Sequence, residues 1–178
     1  MKTTSKPTVI VGKARLIPTA DVDTDMIFHN KYLHITKTSE MGKLLFSDVP
    51  EYSELHRTIE PNDIVITGAN FGCGSSRQQA VDGFIALGVG AIIGESFGAI
   101  YKRNAINAGL PLLEVPEILT LGISDGDLIK AELANGKISR VVNDKQNCDV
   151  LIVTKPMSQV QMDIYFAGGL LQLGNVTE

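Results

Sequence analysis

The chain has no tryptophan, only two cysteines and three histidines, and nowhere a run of five basic residues. Each scarcity closes a class of function. Nucleic-acid phosphates are held by clustered Lys and Arg, so a net charge of −4 without such a cluster excludes nucleic acid as the main partner. The apolar stretches fall far short of the ~20 residues that a membrane helix needs, and no span is expected. Cys73 and Cys148 stand far apart, neither in a Cys-x-x-Cys spacing. Two thiols are too few for a four-iron cluster, which takes three or four cysteine ligands. His29, His34 and His56 do not share the spacing that puts two imidazoles on one helix face, so no metal site is visible. The first residues, Met-Lys-Thr-Thr-Ser-Lys-Pro, lack the apolar core of a secretion signal. The expectation is a cytoplasmic protein with reduced thiols and no metal of its own.

What the chain does have is aliphatic bulk. Its 178 residues are 44% hydrophobic with six Phe and four Tyr, enough for one domain over residues 1–178 with a core of Ile, Leu and Val. A first strand over residues 9–16 is stopped by Pro18, and a loop with Asp21, Asp23 and Asp25 follows. Residues 39–46 suit a short helix, and the stretch onward to His56 has no strong period and reads as mobile. Strand 64–67, helix 76–87 stopped by Gly88, strand 91–93, helix 97–108 stopped by Gly109, and strand 110–113 then alternate. Such alternation favours parallel strands with helical crossovers. Beyond Pro116 the pattern changes to strands 128–133 and 138–142 around the hairpin signal Asn135-Gly136, strand 150–153, and a helix 157–166 closed by Gly168-Gly169. The fold class is therefore α/β, a β/α layer beside a barrel-like β layer.

Between strand 64–67 and the helix after it lies the most informative run, Gly68-Ala69-Asn70-Phe71-Gly72-Cys73-Gly74-Ser75-Ser76-Arg77. A strand, a glycine-rich turn and a helix start present converging backbone N–H groups to an anion. Ser75 or Ser76 is the natural N-cap. The first turn then offers Arg77, Gln78 and Gln79 where Asp or Glu would suit the dipole. A cation there makes sense if an anion such as a carboxylate binds beside it. A dinucleotide fingerprint needs a third glycine where Arg77 stands, and Gly-Lys-Ser/Thr is absent, so Rossmann and P-loop sites are excluded. Cys73 reads as a small buried thiol filling the turn.

The segment 70–77, with Glu95-Ser96-Phe97-Gly98 and Arg103-Asn104-Ala105-Ile106-Asn107-Ala108-Gly109-Leu110-Pro111, resembles the small-subunit family of 3-isopropylmalate dehydratase. That family is the separately encoded swivel domain of the aconitase superfamily. Asp21-Val22-Asp23-Thr24-Asp25 with Tyr32-Leu33 near the start, and Ala167-Gly168-Gly169-Leu170 near the end, extend the match over nearly the whole chain. The resemblance implies a swivelling β/β/α domain of aconitase type. It also implies a hydro-lyase that moves a hydroxyl between adjacent carbons of a malate-type acid, with 2-isopropylmalate and leucine synthesis foremost. Ser75 would be the base, Ser76 a substrate hydrogen-bonder, Arg77 a bidentate carboxylate clamp, and Asp25 an orienting group at the site's edge. Either serine could instead serve only as an N-cap, and Asp21 and Asp23 suit turn-capping better than Asp25 does. His34 and Ile35, after Tyr32-Leu33, would read the substrate side chain, His34 as a part-time cation and Ile35 as an apolar contact.

The family's four-iron cluster has no ligand set in this chain, so the resemblance assigns it to an iron–sulfur large subunit, in a heterodimer or heterotetramer that alone would be active. The chain departs from the family where Gln78-Gln79 replaces the common Glu-His and Ala99 stands where an Arg often follows. These departures leave the clamp to Arg77, with Lys102 or Arg103 as possible helpers. A homoaconitase or a dimethylmalate/citramalate-type dehydratase would share the chemistry with another side chain on the substrate. A non-enzymatic anion-binding module that kept the fold is the reading from a different class.

Overall fold

The computed structural model describes residues 6–142 and 147–174. Seven strands, β1 (Val9–Ile17), β2 (Ile64–Thr67), β3 (Ala91–Gly94), β4 (Leu112–Glu114), β5 (Leu128–Glu132), β6 (Lys137–Val142) and β7 (Asn147–Val153), form one sheet in the order β4-β3-β2-β1-β5-β6-β7. The first strand joins two regimes. Its second half runs parallel to β2, from Ala14 opposite Ile64 to Ile17 opposite Thr67, while its first half runs antiparallel to β5, from Val9 opposite Glu132 to Lys13 opposite Leu128. One side of the sheet is therefore a four-stranded parallel layer and the other an antiparallel meander.

Every residue of β2 and β3 is buried, because Ile-Val-Ile-Thr and Ala-Ile-Ile-Gly are apolar on both faces. Alternate side chains feed two cores. Val65, Ile92 and Leu112 face a helical layer with Phe84, Tyr101, Phe46 and Phe71. Ile64, Ile66, Ile93 and Leu113 face a second core shared with Ile129, Ala131 and Ile138 of the meander and with Met162 and Tyr165. That second core draws on both halves of the sheet, which is the barrel-like layer expected. Each Ile or Leu so buried contributes roughly 1.5–3 kcal/mol.

The helical layer carries α1 (Thr24–Ile27), α2 (Thr38–Met41), α3 (Leu55–Thr58), α4 (Gln79–Ala86) and α5 (Ala99–Asn107). From β2 through β4 the chain steps always in one direction, so its crossovers α4 and α5 cover the same face. Two further helices, α6 (Gln159–Ala167) and α7 (Leu170–Gly174), follow the meander, and Gly168 ends α6 as expected, at φ 86°. Gly88 and Gly109 likewise donate back to Ile85 and Ile106 as stops for α4 and α5.

Three expectations need correction. Neither Ser75 nor Ser76 caps α4; Gln78 does, without a side-chain bond, and the helix begins only at Gln79. The stretch to His56 is not a mobile connection. Leu45, Phe46 and Tyr52 are buried, and the Phe46 ring meets those of Tyr52 and Phe84 edge-on. Long-range packing anchors it, which no local period reveals. Finally, the helix expected over 39–46 is split into α2 and a 3₁₀ turn at Gly42–Leu44.

Candidate active site

The segments following β1, β2 and β3 meet at the carboxyl ends of the parallel strands, where open α/β sheets bind ligands. Main-chain bonds weave them together. Gly72 and Cys73 donate to the Val22 carbonyl at 2.8 and 3.2 Å, Thr24 donates to the Cys73 carbonyl at 2.9 Å, and Phe71 and Gly98 bond across to Ser96 and Phe71. Asn70 donates its main-chain N–H to Ser96 Oγ and its side-chain amide to Asp21 Oδ1, both at 2.8 Å. Two glycines make the weave possible. At Gly72 (φ 74°) a Cβ would strike the Tyr101 ring, and at Gly74 (φ 87°) it would strike the Asp23 carboxylate. That carboxylate is occupied as the N-cap of α1, accepting from Asp25 N at 2.6 Å. Asp23 thus caps a turn as expected, whereas Asp21 accepts from Asn70 on the facing loop.

Ser75 and Ser76 are exposed beyond this weave. Their failure to cap α4 has a visible cause, because both are held by other elements. Thr24, buried at 1% exposure, donates its hydroxyl to the Ser75 carbonyl at 2.9 Å and lies 3.5 Å from Ser75 Oγ. Asn104 of α5 donates its amide to Ser76 Oγ at 3.2 Å. Sequence reasoning quoted Thr24 and Asn104 only as parts of longer matching runs and gave neither a role. Only the tertiary pairing of the loops exposes them.

Arg77 precedes α4 and its side chain is 11% exposed. Its Nη1 donates to the Phe28 carbonyl at 3.1 Å and is paired with Asp25 Oδ1, whose own side chain is 48% exposed. Asp25 and Arg77, from loops more than fifty residues apart, form one unit, and the carboxylate partner anticipated for this cation includes one from the chain itself. A guanidinium has five N–H donors, so contacts at Nη1 leave others to address a ligand. Lys102 is paired with Glu114 at the carboxyl end of β4, and Arg103 is exposed on α5. Cys73 corrects a further expectation: it is partly exposed rather than buried. Desolvation, with the neighbouring charges of Asp23 and then Asp21, pushes its thiol up, which disfavours the thiolate.

His34 and Ile35 sit after the 3₁₀ turn Asn30–Tyr32. His34 is exposed, whereas Ile35 is partly buried against the helical-layer core beside Met26 and Tyr32. The edge-on contact of Tyr32 with Phe28, at 6.2 Å between ring centroids, links this turn to the residue whose carbonyl holds Arg77. Among the described residues no three His, Cys, Asp or Glu side chains converge as metal ligands. Cys73 lies in the loop after β2 and Cys148 on the edge strand β7, so the residues present do not fit an iron–sulfur cluster. No described helix is long and apolar enough to cross a membrane.

Residues 24–117, which hold Asp25, His34, Ile35, Ser75, Ser76 and Arg77, match the aconitase C-terminal domain family. A 3-isopropylmalate dehydratase small subunit from Caldicellulosiruptor bescii is 36% identical over 152 residues, 85% of this chain and 87% of that protein. An isopropylmalate/citramalate isomerase small subunit from Methanocaldococcus jannaschii is 35% identical over 152 residues, 85% of each. A crystal structure of 3-isopropylmalate dehydratase from the same organism superposes with a TM-score of 0.76 at 32% identity, covering 95% of both chains.

Proposed function

The chain belongs to the family of 3-isopropylmalate dehydratase small subunits, and from that premise we propose that it supplies half of the active site that interconverts 2- and 3-isopropylmalate by dehydration and rehydration in cytoplasmic leucine synthesis. The observation that carries the reading is the convergence at one sheet edge of two exposed serines with an arginine fixed by Asp25 and the Phe28 carbonyl. A hydrolase triad or a nucleotide cradle would need other groups. Removing a proton from carbon next to a carboxylate is hard because the acid is so weak, and fixed positive charge must meet the developing charge.

In this reading Ser75 Oγ takes the proton from the substrate carbon, and returns one to the neighbouring carbon on rehydration. Ser76 hydrogen-bonds the substrate, its Oγ oriented by Asn104. Arg77 grips a substrate carboxylate through donors not engaged by Phe28 and Asp25, and Asp25 holds the guanidinium plane. Departure of the hydroxyl needs a Lewis acid, which a four-iron cluster on the large subunit would supply, since this chain has no ligand set for one. Turnover therefore belongs to the complex.

Substrate choice falls to the turn that carries His34 and Ile35. Ile35 already lies against apolar neighbours, which suits an isopropyl group better than an additional carboxylate. The complex with its large subunit, assayed against 3-isopropylmalate, citraconate and homoaconitate, should show its highest kcat/KM with 3-isopropylmalate. A preference for citraconate would move the assignment to the citramalate type, and a preference for homoaconitate to the homoaconitase type.

A further inference from the structure

We infer that Thr24 is a positioning residue for Ser75, holding its hydroxyl in the resting state and turning its own proton onto the Ser75 oxygen when that oxygen carries charge. The inference rests on Ser75 acting as the base. Thr24 is buried at the start of α1, with its main chain tied to the Cys73 carbonyl at 2.9 Å and its hydroxyl to the Ser75 carbonyl at 2.9 Å. It thus clamps the loop on both sides of Gly74, whose positive φ sends the chain over the Asp23 carboxylate. The Thr24 hydroxyl has one hydrogen, and the Ser75 carbonyl takes it. At the 3.5 Å approach between the two side-chain oxygens, Ser75 is left as the donor and Thr24 as the acceptor.

Ser75 is exposed and gives up its own proton to solvent water before the substrate is deprotonated, and the alkoxide then has no hydrogen to give. Rotation about the Thr24 Cβ–Oγ1 bond then moves the Thr24 hydrogen from the Ser75 carbonyl to Ser75 Oγ, with no proton changing owner between the two residues. The proton that Ser75 acquires comes from the substrate carbon, and Thr24 swings back once Ser75 is neutral. Hydrogen bonds of this kind are long in a free subunit and tighten when the site is assembled. A donor to the charged form lowers the pKa of a base, which is what a serine needs most. The buried position matters, because water competes less for a hydroxyl held at 1% exposure.

The test compares Thr24→Val, which keeps shape and removes the hydroxyl, with Thr24→Ser, which keeps the hydroxyl, both in the complex with the large subunit and 3-isopropylmalate as substrate. Thr24→Val should lower kcat about ten- to a hundredfold with KM little changed, as for loss of one hydrogen bond to an ionised oxygen. The acid limb of its kcat/KM profile should move to higher pH, because the base ionises less readily. Thr24→Ser should restore kcat and the limb. Melting temperatures of the variant chains monitor folding, and if Thr24→Val fails to assemble the same comparison is made with Thr24→Ala. An unmoved limb, or equal losses in the valine and serine variants, overturns the inference and leaves Thr24 a packing residue. A wild-type complex inactive on every acid above would overturn the reading of Ser75 together with it.

Discussion

The two ends of the parallel strands solve opposite problems with similar parts. At the amino end, just before β2, Asp63 is buried at 2% exposure and accepts from Lys13 N at 3.1 Å, Glu60 N at 2.9 Å and Arg15 Nε at 2.6 Å. The carboxylate is answered on all sides within the chain, and Arg15 is only 11% exposed. At the carboxyl end, beyond Gly68, another carboxylate–arginine pair, Asp25 with Arg77, sits half open, and two serine hydroxyls beside it face outward. A polar network satisfied from every side fixes a fold. One satisfied only on its protein side is ready for something else.

The sharpest way to break the contrast is a change at the carboxyl end that costs activity and no stability. Ser75→Ala should lower kcat of the complex by about 10²–10⁴-fold, the range for a general base, with the melting temperature of the chain unchanged. Turnover within a few-fold of wild type would remove Ser75 from the chemistry. The mirror image is Asp63→Ala, which should cost about 3–5 kcal/mol of stability in denaturant unfolding, by leaving the buried Arg15 only its 3.9 Å contact with the exposed Asp125 and the Lys13 and Glu60 N–H groups without their acceptor. Where that variant still folds, its kcat should stay near wild type; a fall in kcat with no loss of stability would reverse the assignment of the two ends.

Arg77→Lys is expected to be next in size. Lysine keeps the charge and loses the planar fork, costing about 1.5–3 kcal/mol in kcat/KM. Intact kinetics in the complex would show that Arg77 grips no carboxylate. The smallest effect belongs to His34→Arg, since that side chain is exposed. A permanent cation should shift the ratio of kcat/KM for homoaconitate over 3-isopropylmalate upward by about two- to fivefold, in line with exposed ion pairs. A constant ratio would withdraw the specificity role from this turn.

How far residues alone foretold these features depended on how local each feature is. The buried strands β2 and β3 and the stops at Gly88, Gly109 and Gly168 were legible, because unbroken apolar runs and glycine signals carry their own cause. Asp23 was rightly read as a turn-holding carboxylate. The serines were misread as caps of α4 because the rule for helix starts looks only along the chain. Their partners, Thr24 and Asn104, arrive from α1 and α5, where nothing in the local sequence marks a tertiary donor. The same blindness hid the anchoring of the segment around Phe46 and Tyr52, whose burial depends on Phe84 across the layer. Arg77 was expected to clamp an incoming carboxylate; its pairing with Asp25 within the chain was not expected.

The central claim is that the carboxyl end of these strands is half of an active site. It is tested most directly by measuring 3-isopropylmalate dehydration with this chain alone, with the large subunit alone, and with the two combined. Turnover should appear only in the mixture, and the purified chain should show no visible absorption from a cluster. Turnover or cluster absorption by the chain alone, or a stable mixture inert toward isopropylmalate, citraconate and homoaconitate alike, would contradict it.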